Sequence, residues 1–484
     1  MDLRIIDGHP GAATHSPSRE GPRIFDSPDL PADPATVRTV DLGTVGVDLA
    51  APPVVLPDFH HKSTMEMPSS IVVATRGTIR PTFTSSSVNC GMALMAFDGE
   101  RPDDEAVESF YDAVRARYPY PTKGRKDLTY REVIEAAVDG GQFATRRWGV
   151  DPEQLERVED QGKVDLEPWG GGERLRREMP ALTWQLARFR FGTIGPSNHF
   201  VELQQVEEVF DEVTAAALGV RRGQVVLQYH AGGGVLTGEI GHLFQRRQDT
   251  RRVMAAAMAV QKPLYHLGSA RSWAQLRRRY RTYFGDAWAP VELASDEGAR
   301  LMLANAAAMN YGYAFRLATY EVLADYARTF LGAGSSRLVV DSPHNSIAME
   351  DLDGEPAVVH RHNSCRAYPA DRMPAGSTFA RTGQAVLVPG THRTSSFLAV
   401  AGERSQDSLH SACHGAGTVV SQFESSGRSE QDHLGRSTLR FRYDAPPSRV
   451  AHLDDAGVDA AMSVLAEHRL VRPIARLRPF AVLH

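Results

Sequence analysis

"HSACHGAG" occupies positions 410 to 417, and its reading fixes where the rest of the chain must converge. Gly415 and Gly417 flank one small residue, a pattern that lets main chain come close to a ligand because no Cβ stands in the way. His414 precedes them, so the stretch carries an imidazole to the edge of that approach. A histidine so placed is a candidate reactive group, and the question becomes what else the chain gathers around it.

The bulk numbers bound the answer. A chain of 484 residues is long enough for one large domain or several ordinary ones. With 42% hydrophobic and 23% charged residues it can bury a sizeable core and is not disordered as a whole. The formal net charge of −5 argues against a generally basic coat for nucleic acid, although local patches stay open. Three cysteines, Cys90, Cys365 and Cys413, are too few for a disulfide framework and fit a reducing compartment, so a cytoplasmic location is expected. The opening "MDLRIIDGHPG" lacks the apolar segment of a signal peptide, and no run of about 18 apolar residues appears. No membrane association is expected.

Outward from the octet, residues 1–35 are rich in Pro, Asp, Ser and Gly and read as a mobile N-terminal arm, with residues 36–484 as the working domain. "SIVVAT" (70–75), "VVLQYH" (225–230), "RLVVDS" (337–342), "AVLVPG" (385–390) and "SFLAVAG" (396–402) predict strands. An Ala- and Leu-rich stretch over 297–332, closed by Gly332 and Gly334, predicts a long helix. A second helical tract, "SARSWAQLRRRYRTYFGDAW" (269–288), interleaves five arginines with Trp273, Tyr280 and Tyr283. It reads either as a phosphate-and-stacking surface or, more plainly, as a solvated helix face. Strands and helices show no regular βαβ alternation, which favours an α+β fold.

Four of the eighteen histidines fall at predicted strand ends or glycine loops, where functional groups collect. They are His199 before a strand, His230 ending "VVLQYH", His344 after "VVDSP", and His414. Cys90 has the same character, beside Gly91 at the start of an apolar run. Imidazoles with one thiolate form a borderline-soft donor set suited to Zn²⁺, Mn²⁺, Co²⁺ or Fe²⁺. The donors are scattered, and nothing local forces them together.

"PDFH" (57–60), "NCGMAL" (89–94), "GTIGPSNHFVEL" (192–203), "AMNYGYAFR" (308–316), "DSPHNSIAMED" (341–351), "VVHRHNSCRAYPA" (358–370), "AVLVPGTHRTSSF" (385–397) and "CHGAG" (413–417) occur in one order. That order resembles the RtcB family of RNA-splicing ligases. The resemblance implies a fold of sheets around a central metal and nucleotide cleft with surrounding helices. It also implies a reaction in which RNA ends bearing a 2′,3′-cyclic phosphate or 3′-phosphate are joined to 5′-hydroxyl ends with GTP and Mn²⁺. By position, the resemblance makes His414 the nucleophile that carries GMP and makes Cys90, His199, His230 and His344 metal ligands. It assigns nucleotide contacts to Asn198, Glu202, His344, Asn345, Pro389, Gly390, Thr391, His392, Ser396, Gly415, Ala416, Gly417 and His484. A monomer is expected, and an archease-like activator is the partner the resemblance raises.

The chain departs from the family's pattern at several positions. The carboxylate expected three residues before Cys90 is Ser87, leaving Ser87 or Asn89 as neutral oxygen donors. Glycines and Thr418 stand where arginines are expected, after His230 and after "HGAG" respectively, and neither residue type pairs bidentately with phosphate. His484 replaces a terminal lysine. Three functions remain open: a guanylylated ligase, a non-catalytic RNA or guanine-nucleotide binder, and a metal-dependent phosphoesterase. His360, His362 and His392 read as ordinary polar loop residues rather than metal ligands, and Cys365 and Cys413 as packing residues.

Overall fold

The structure is a computed structural model that describes residues 21–61, 65–120, 126–194, 199–245, 252–285 and 289–484. The first twenty residues of the expected arm and Asn198 lie outside the described residues. The rest of the arm is laid on the body: Arg23–Ile24 pairs in parallel with Val54–His60, Phe25 is buried, and Pro34 opens the helix Pro34–Thr44.

The strands form two principal sheets. In the larger, the spatial order is Ala385–Val388, Ser396–Ala401, Val471–Leu483, Phe200–Val209, Val225–Ala231, Gly91–Phe97 and Ser336–Pro343, all antiparallel, with Ser437–Phe441 and Ser448–Ala451 attached beside Val471–Leu483. Its end strands approach one another, so the sheet is nearly closed. The smaller sheet runs Arg23–Ile24, Val54–His60, Ser69–Thr75, Glu355–His362 and Asn345–Leu352.

The strand Gly91–Phe97 shows why the large sheet is buried on both faces. All seven residues are buried. Ala93, Met95 and Phe97 enter one core while Met92, Leu94 and Ala96 enter another, as the two-residue period of a strand requires. Fully burying a side chain such as Leu94 contributes about 1.5–3 kcal/mol. The first of these cores is shared with the helix Asp296–Phe330. Its alanines and Gly312 give it a slim cylinder that is buried nearly all round, and Ser295 caps its start by accepting the Gly298 N–H at 3.0 Å. Gly332, at φ +64°, supplies the left-handed turn that follows its end.

The predicted strands appear at Ser69–Thr75, Val225–Ala231, Ser336–Pro343, Ala385–Val388 and Ser396–Ala401. The fold is mixed α+β. His360 and His362 lie on a buried strand rather than in a loop. His360 Nε2 accepts the Arg80 N–H at 3.0 Å and its Nδ1 bonds the Val73 carbonyl at 3.1 Å, so its polarity is spent within the sheet. Cys365 and Cys413 are buried in one core. No helix among the described residues is long and apolar enough to cross a membrane.

Candidate active site

The register of four neighbouring strands brings the scattered donors to one edge. Phe200 pairs with His230, Met92 also pairs with His230, and Gly91 pairs with Pro343. Cys90, His199 and His344 each adjoin one of those strand ends, so residues up to 254 positions apart in sequence meet at one rim.

There the Cys90 sulfur lies 3.2 Å from His230 Nε2 and 3.6 Å from His199 Nε2, and the donor atoms of the three residues lie within 4.8 Å of one another. The imidazoles continue as a row, with ring centroids 5.0 Å apart from His199 to His230, 5.0 Å from His230 to His344 and 4.6 Å from His344 to His414. His344 therefore stands one ring beyond the compact triplet, beside His414. Its buried Nδ1 has no hydrogen-bond partner among the described residues.

Burial governs the electrostatics of this row. Desolvation pushes the Cys90 thiol up to about 12, although Arg316 opposes it, and holds His199 down to about 4, with Arg190 adding to the effect. His344 is pushed well below its ordinary range by burial, then by the neighbouring imidazoles of His414 and His230. Without a cation the thiol keeps its proton while these two rings stay neutral, the form in which imidazole donates a lone pair. A thiol, neutral imidazoles and an unpartnered buried nitrogen together fit a borderline-soft divalent metal ion. No carboxylate joins the triplet among the described residues.

The loop that carries Cys90 is locked from beneath. Asn89 adopts φ +55°, a conformation asparagine tolerates better than most residues. Its side chain is directed at the long helix, donating to the Met309 carbonyl, and a Cβ at Gly312 would come within 2.6 Å of it. Arg316 Nη1 donates to both the backbone carbonyl and Oδ1 of Asn89 at 2.6 Å, and Arg316 pairs with Asp341, both fully buried. Gly91 makes room, since a Cβ there would fall 2.8 Å from the Arg316 guanidinium carbon. Asn89 is thus engaged as a brace and does not offer its oxygen to the triplet. Ser87 is half-buried, and its carbonyl accepts the Cys90 N–H at 3.1 Å.

The octet is held against the same rim. Ser411–Cys413 pairs with Ser364–Arg366, and the Ser364 N–H donates to the His344 carbonyl at 2.9 Å. Arg361, buried and paired with Glu350, fixes the turn before it by donating to Ser411 Oγ at 2.8 Å and the Leu409 carbonyl at 3.2 Å. The Ala416 N–H is spent on the Pro389 carbonyl at 2.8 Å, and Gly415 packs against Pro389. A helix, Gly417–Ser425, begins at once, and Asp58 caps it by accepting the Thr418 and Val419 N–H groups at 2.8 and 3.2 Å. The start of the helix that follows the glycines is therefore already occupied by a carboxylate.

Beside the row lies a cavity of about 210 Å³ lined by His199, Phe200, Glu202, Pro389, Gly390, Thr391, His392, Ser396, Val482 and His484. His199 belongs to both the triplet and this cavity. Gly390 is required there, because a Cβ would fall 2.3 Å from both the Ser395 carbonyl and Thr394 Oγ1. Burial raises the Glu202 carboxyl to about 8, while the Gln204 amide, which donates to Glu202 Oε1 at 2.6 Å, opposes that rise. Burial, then the facing ring of His484, lowers His392 to about 3; the two ring centroids are 5.1 Å apart. Asn345 does not line the cavity. Its side chain ties Ser87 to Asn363, donating to the Ser87 carbonyl at 3.3 Å and accepting the Asn363 N–H at 2.9 Å.

Sequence reasoning missed Arg316 and Asp58 as positioning groups. The available signal for Arg316 was a charge within an otherwise apolar helical run, since such a group is tolerated only when paired. For Asp58 it was a carboxylate just before a histidine in "PDFH", but nothing local linked it to a helix 360 residues away.

Comparison with known proteins bears on the chain as a whole. The family model described as tRNA-splicing ligase RtcB matches residues 47–484. An RNA-splicing ligase RtcB of Mycobacterium tuberculosis is 30% identical over 424 residues, covering 83% of this chain and 89% of the relative. A tRNA-splicing ligase RtcB of Thermococcus kodakarensis is 28% identical over 436 residues, covering 84% and 82%. The chain spans less than half of the Pyrococcus horikoshii tRNA-splicing ligase RtcB, to which it is 27% identical over 416 residues, or 81% of this chain and 44% of that one. Since the match runs from residue 47 through the octet to the last residue, the chain belongs to the RtcB family.

Proposed function

We propose that this protein is a GTP- and Mn²⁺-dependent RNA ligase that joins ends bearing a 3′-phosphate or 2′,3′-cyclic phosphate to 5′-hydroxyl ends, in RNA splicing or repair. The observation that carries the reading is the row of four imidazoles ending at His414, next to a cavity that shares His199. The names of its relatives favour RNA as the substrate.

His414 is the acceptor of guanylate. A neutral ring nitrogen attacks the α-phosphorus of GTP, a P–N bond forms, the P–O bond to pyrophosphate breaks, and the proton on the other ring nitrogen passes to solvent. Guanylate then moves to the RNA 3′-phosphate, and the 5′-hydroxyl displaces GMP from the activated end. A cyclic phosphate is first opened by water. Cys90, His199, His230 and His344 would hold Mn²⁺, which when bound offsets the charge of the phosphates. Glu202, whose carboxyl burial pushes up to about 8, is the polar contact for the base in that cavity. Asn198 and Asn345 are the further nucleotide-binding assignments, with Pro389, Gly390, Thr391, His392, Ser396 and His484 as the opposite wall. Gly415, Ala416 and Gly417 keep the His414 segment close to that wall. The working form is a monomer in the cytoplasm, with an archease-like protein as activator.

One observation favours a second reading, a non-ligating relative that binds RNA or guanine nucleotide: Ser87 brings no carboxylate and Asn89 is committed to Arg316. Incubation with α-phosphate-labelled GTP and Mn²⁺, followed by denaturing electrophoresis, separates the two. The ligase reading expects a label that survives denaturation and vanishes in His414→Ala. A metal-loaded protein that never takes the label would overturn it.

A further inference from the structure

Residues 252–285 contain seven basic and no acidic side chains, in a chain whose net charge is −5. No residue of this segment lines the cavity or joins the row of imidazoles. Two of the seven cations are committed to the fold. Arg279 is buried against Glu297, and Lys262 bonds the Gln245 carbonyl. Arg271 just before the helix Trp273–Tyr280, Arg277 and Arg278 on it and Arg281 just after it are exposed, and none of these four forms an ion pair among the described residues.

The aromatics on the same helix are equally unusual for a merely solvated face. Trp273 is 85% exposed and Tyr280 55% exposed, the latter stacked on Phe284 with centroids 5.8 Å apart and planes 13° from parallel. An indole held this open gains nothing from the protein core. Bare guanidinium groups interleaved with flat aromatic faces are the chemistry that binds a polyanion carrying stackable bases. An acidic protein would be served by the arginines but has no use for an isolated, exposed indole.

We infer that the face of Arg271, Trp273, Arg277, Arg278, Tyr280 and Arg281 is a docking surface for single-stranded RNA, separate from the nucleotide cavity. The inference rests on the reading that this protein acts on RNA, and it assigns that RNA a second foothold. Arginines pair with successive phosphates while Trp273 stacks on a base, without sequence preference.

The test is fluorescence anisotropy of a labelled single-stranded RNA with a 3′-phosphate, titrated with the full chain over a range of salt concentrations. Trp273→Ala is expected to weaken binding about 5- to 150-fold, the loss of one stacked base. Arg277→Ala with Arg278→Ala is expected to lower the slope of log affinity against log salt by about 1.4, two single-strand phosphate contacts. Both variants should take up labelled guanylate on His414 as the parent does, which separates this surface from the catalytic reading. RNA binding lost in these variants while the parent takes no label would sustain the surface and sink the ligase. Parental affinity and salt slope in both variants would overturn the inference. It would also fall if Trp273→Ala bound RNA normally while the arginine variant lost RNA and polyglutamate alike, since that marks a site for acidic protein.

Discussion

Replacing Arg316 by methionine tests whether the rim of Cys90, His199 and His230 is built from beneath. Arg316 and Asp341 are both fully buried, with Arg316 Nη2 2.6 Å and Nε 2.7 Å from Asp341 Oδ1. Removing the guanidinium leaves the Asp341 carboxylate buried without its cation, a change that costs about 3–5 kcal/mol. The charge-assisted donation to the Asn89 carbonyl goes too, an interaction of about 1.5–3 kcal/mol that overlaps with the first and does not simply add. Against a total stability of about 5–15 kcal/mol, Arg316→Met is expected to lose about a fifth or more. Arg316→Met with Asp341→Leu removes both charges and should recover most of the loss. The assay is denaturant unfolding followed by circular dichroism and tryptophan fluorescence. The recovered double variant should still bind Mn²⁺ about 10- to 100-fold more weakly than the parent, because Asn89 no longer holds the Cys90 loop. A loss below about 1 kcal/mol in Arg316→Met, or a double variant as unstable as the sum of its singles, would refute the reasoning.

Cys90→Ala is expected to abolish Mn²⁺ uptake measured by elemental analysis, whereas His392→Ala should leave it intact, and metal binding by the parent should release a proton because the free thiol is held up at about 12. Asp58→Ala removes the cap of Gly417–Ser425 and should cost about 0.5–2 kcal/mol in unfolding experiments; guanylate labelling of His414 should also slow as the octet loosens. Stability should fall on acidification between about pH 6.5 and pH 4. His360, His410 and His452 are each held down to about 4 chiefly by burial, so in that window the unfolded chain binds protons that the folded chain refuses. His360 alone accounts for about 3 kcal/mol across it. Unfolding free energies measured from pH 7 to pH 4.5 should decline less steeply in His360→Gln, and an equal decline would contradict the assignment.

Much of this protein was legible from residue types in order. Strands such as Ser69–Thr75 and Val225–Ala231 announce themselves through β-branched runs, and the helix Asp296–Phe330 through alanine, leucine and a closing glycine. These signals are local, set by the backbone preferences of a few neighbouring residues. The order of the motifs, ending in "CHGAG", carried the family. Pro389, Gly390, Thr391, His392, Glu202 and Ser396 sit in those motifs, and the fold gathers them with His484 around one cavity.

What the tertiary structure alone decided is what each group touches. Register is a relation between strands far apart in sequence, and it places Cys90, His199 and His230 on one rim with His344 one ring further along. Asn89 reads as a spare metal ligand in sequence, yet Arg316 and Met309 claim its side chain from a helix 220 residues away. The glycines of the octet promise a close main-chain approach to a ligand, but the start of the helix they lead into is capped by the carboxylate of Asp58. In each case the deciding partner is distant along the chain, and a buried polar group takes whichever partner the fold brings within hydrogen-bond reach, because leaving it unpaired costs more than any local preference can supply.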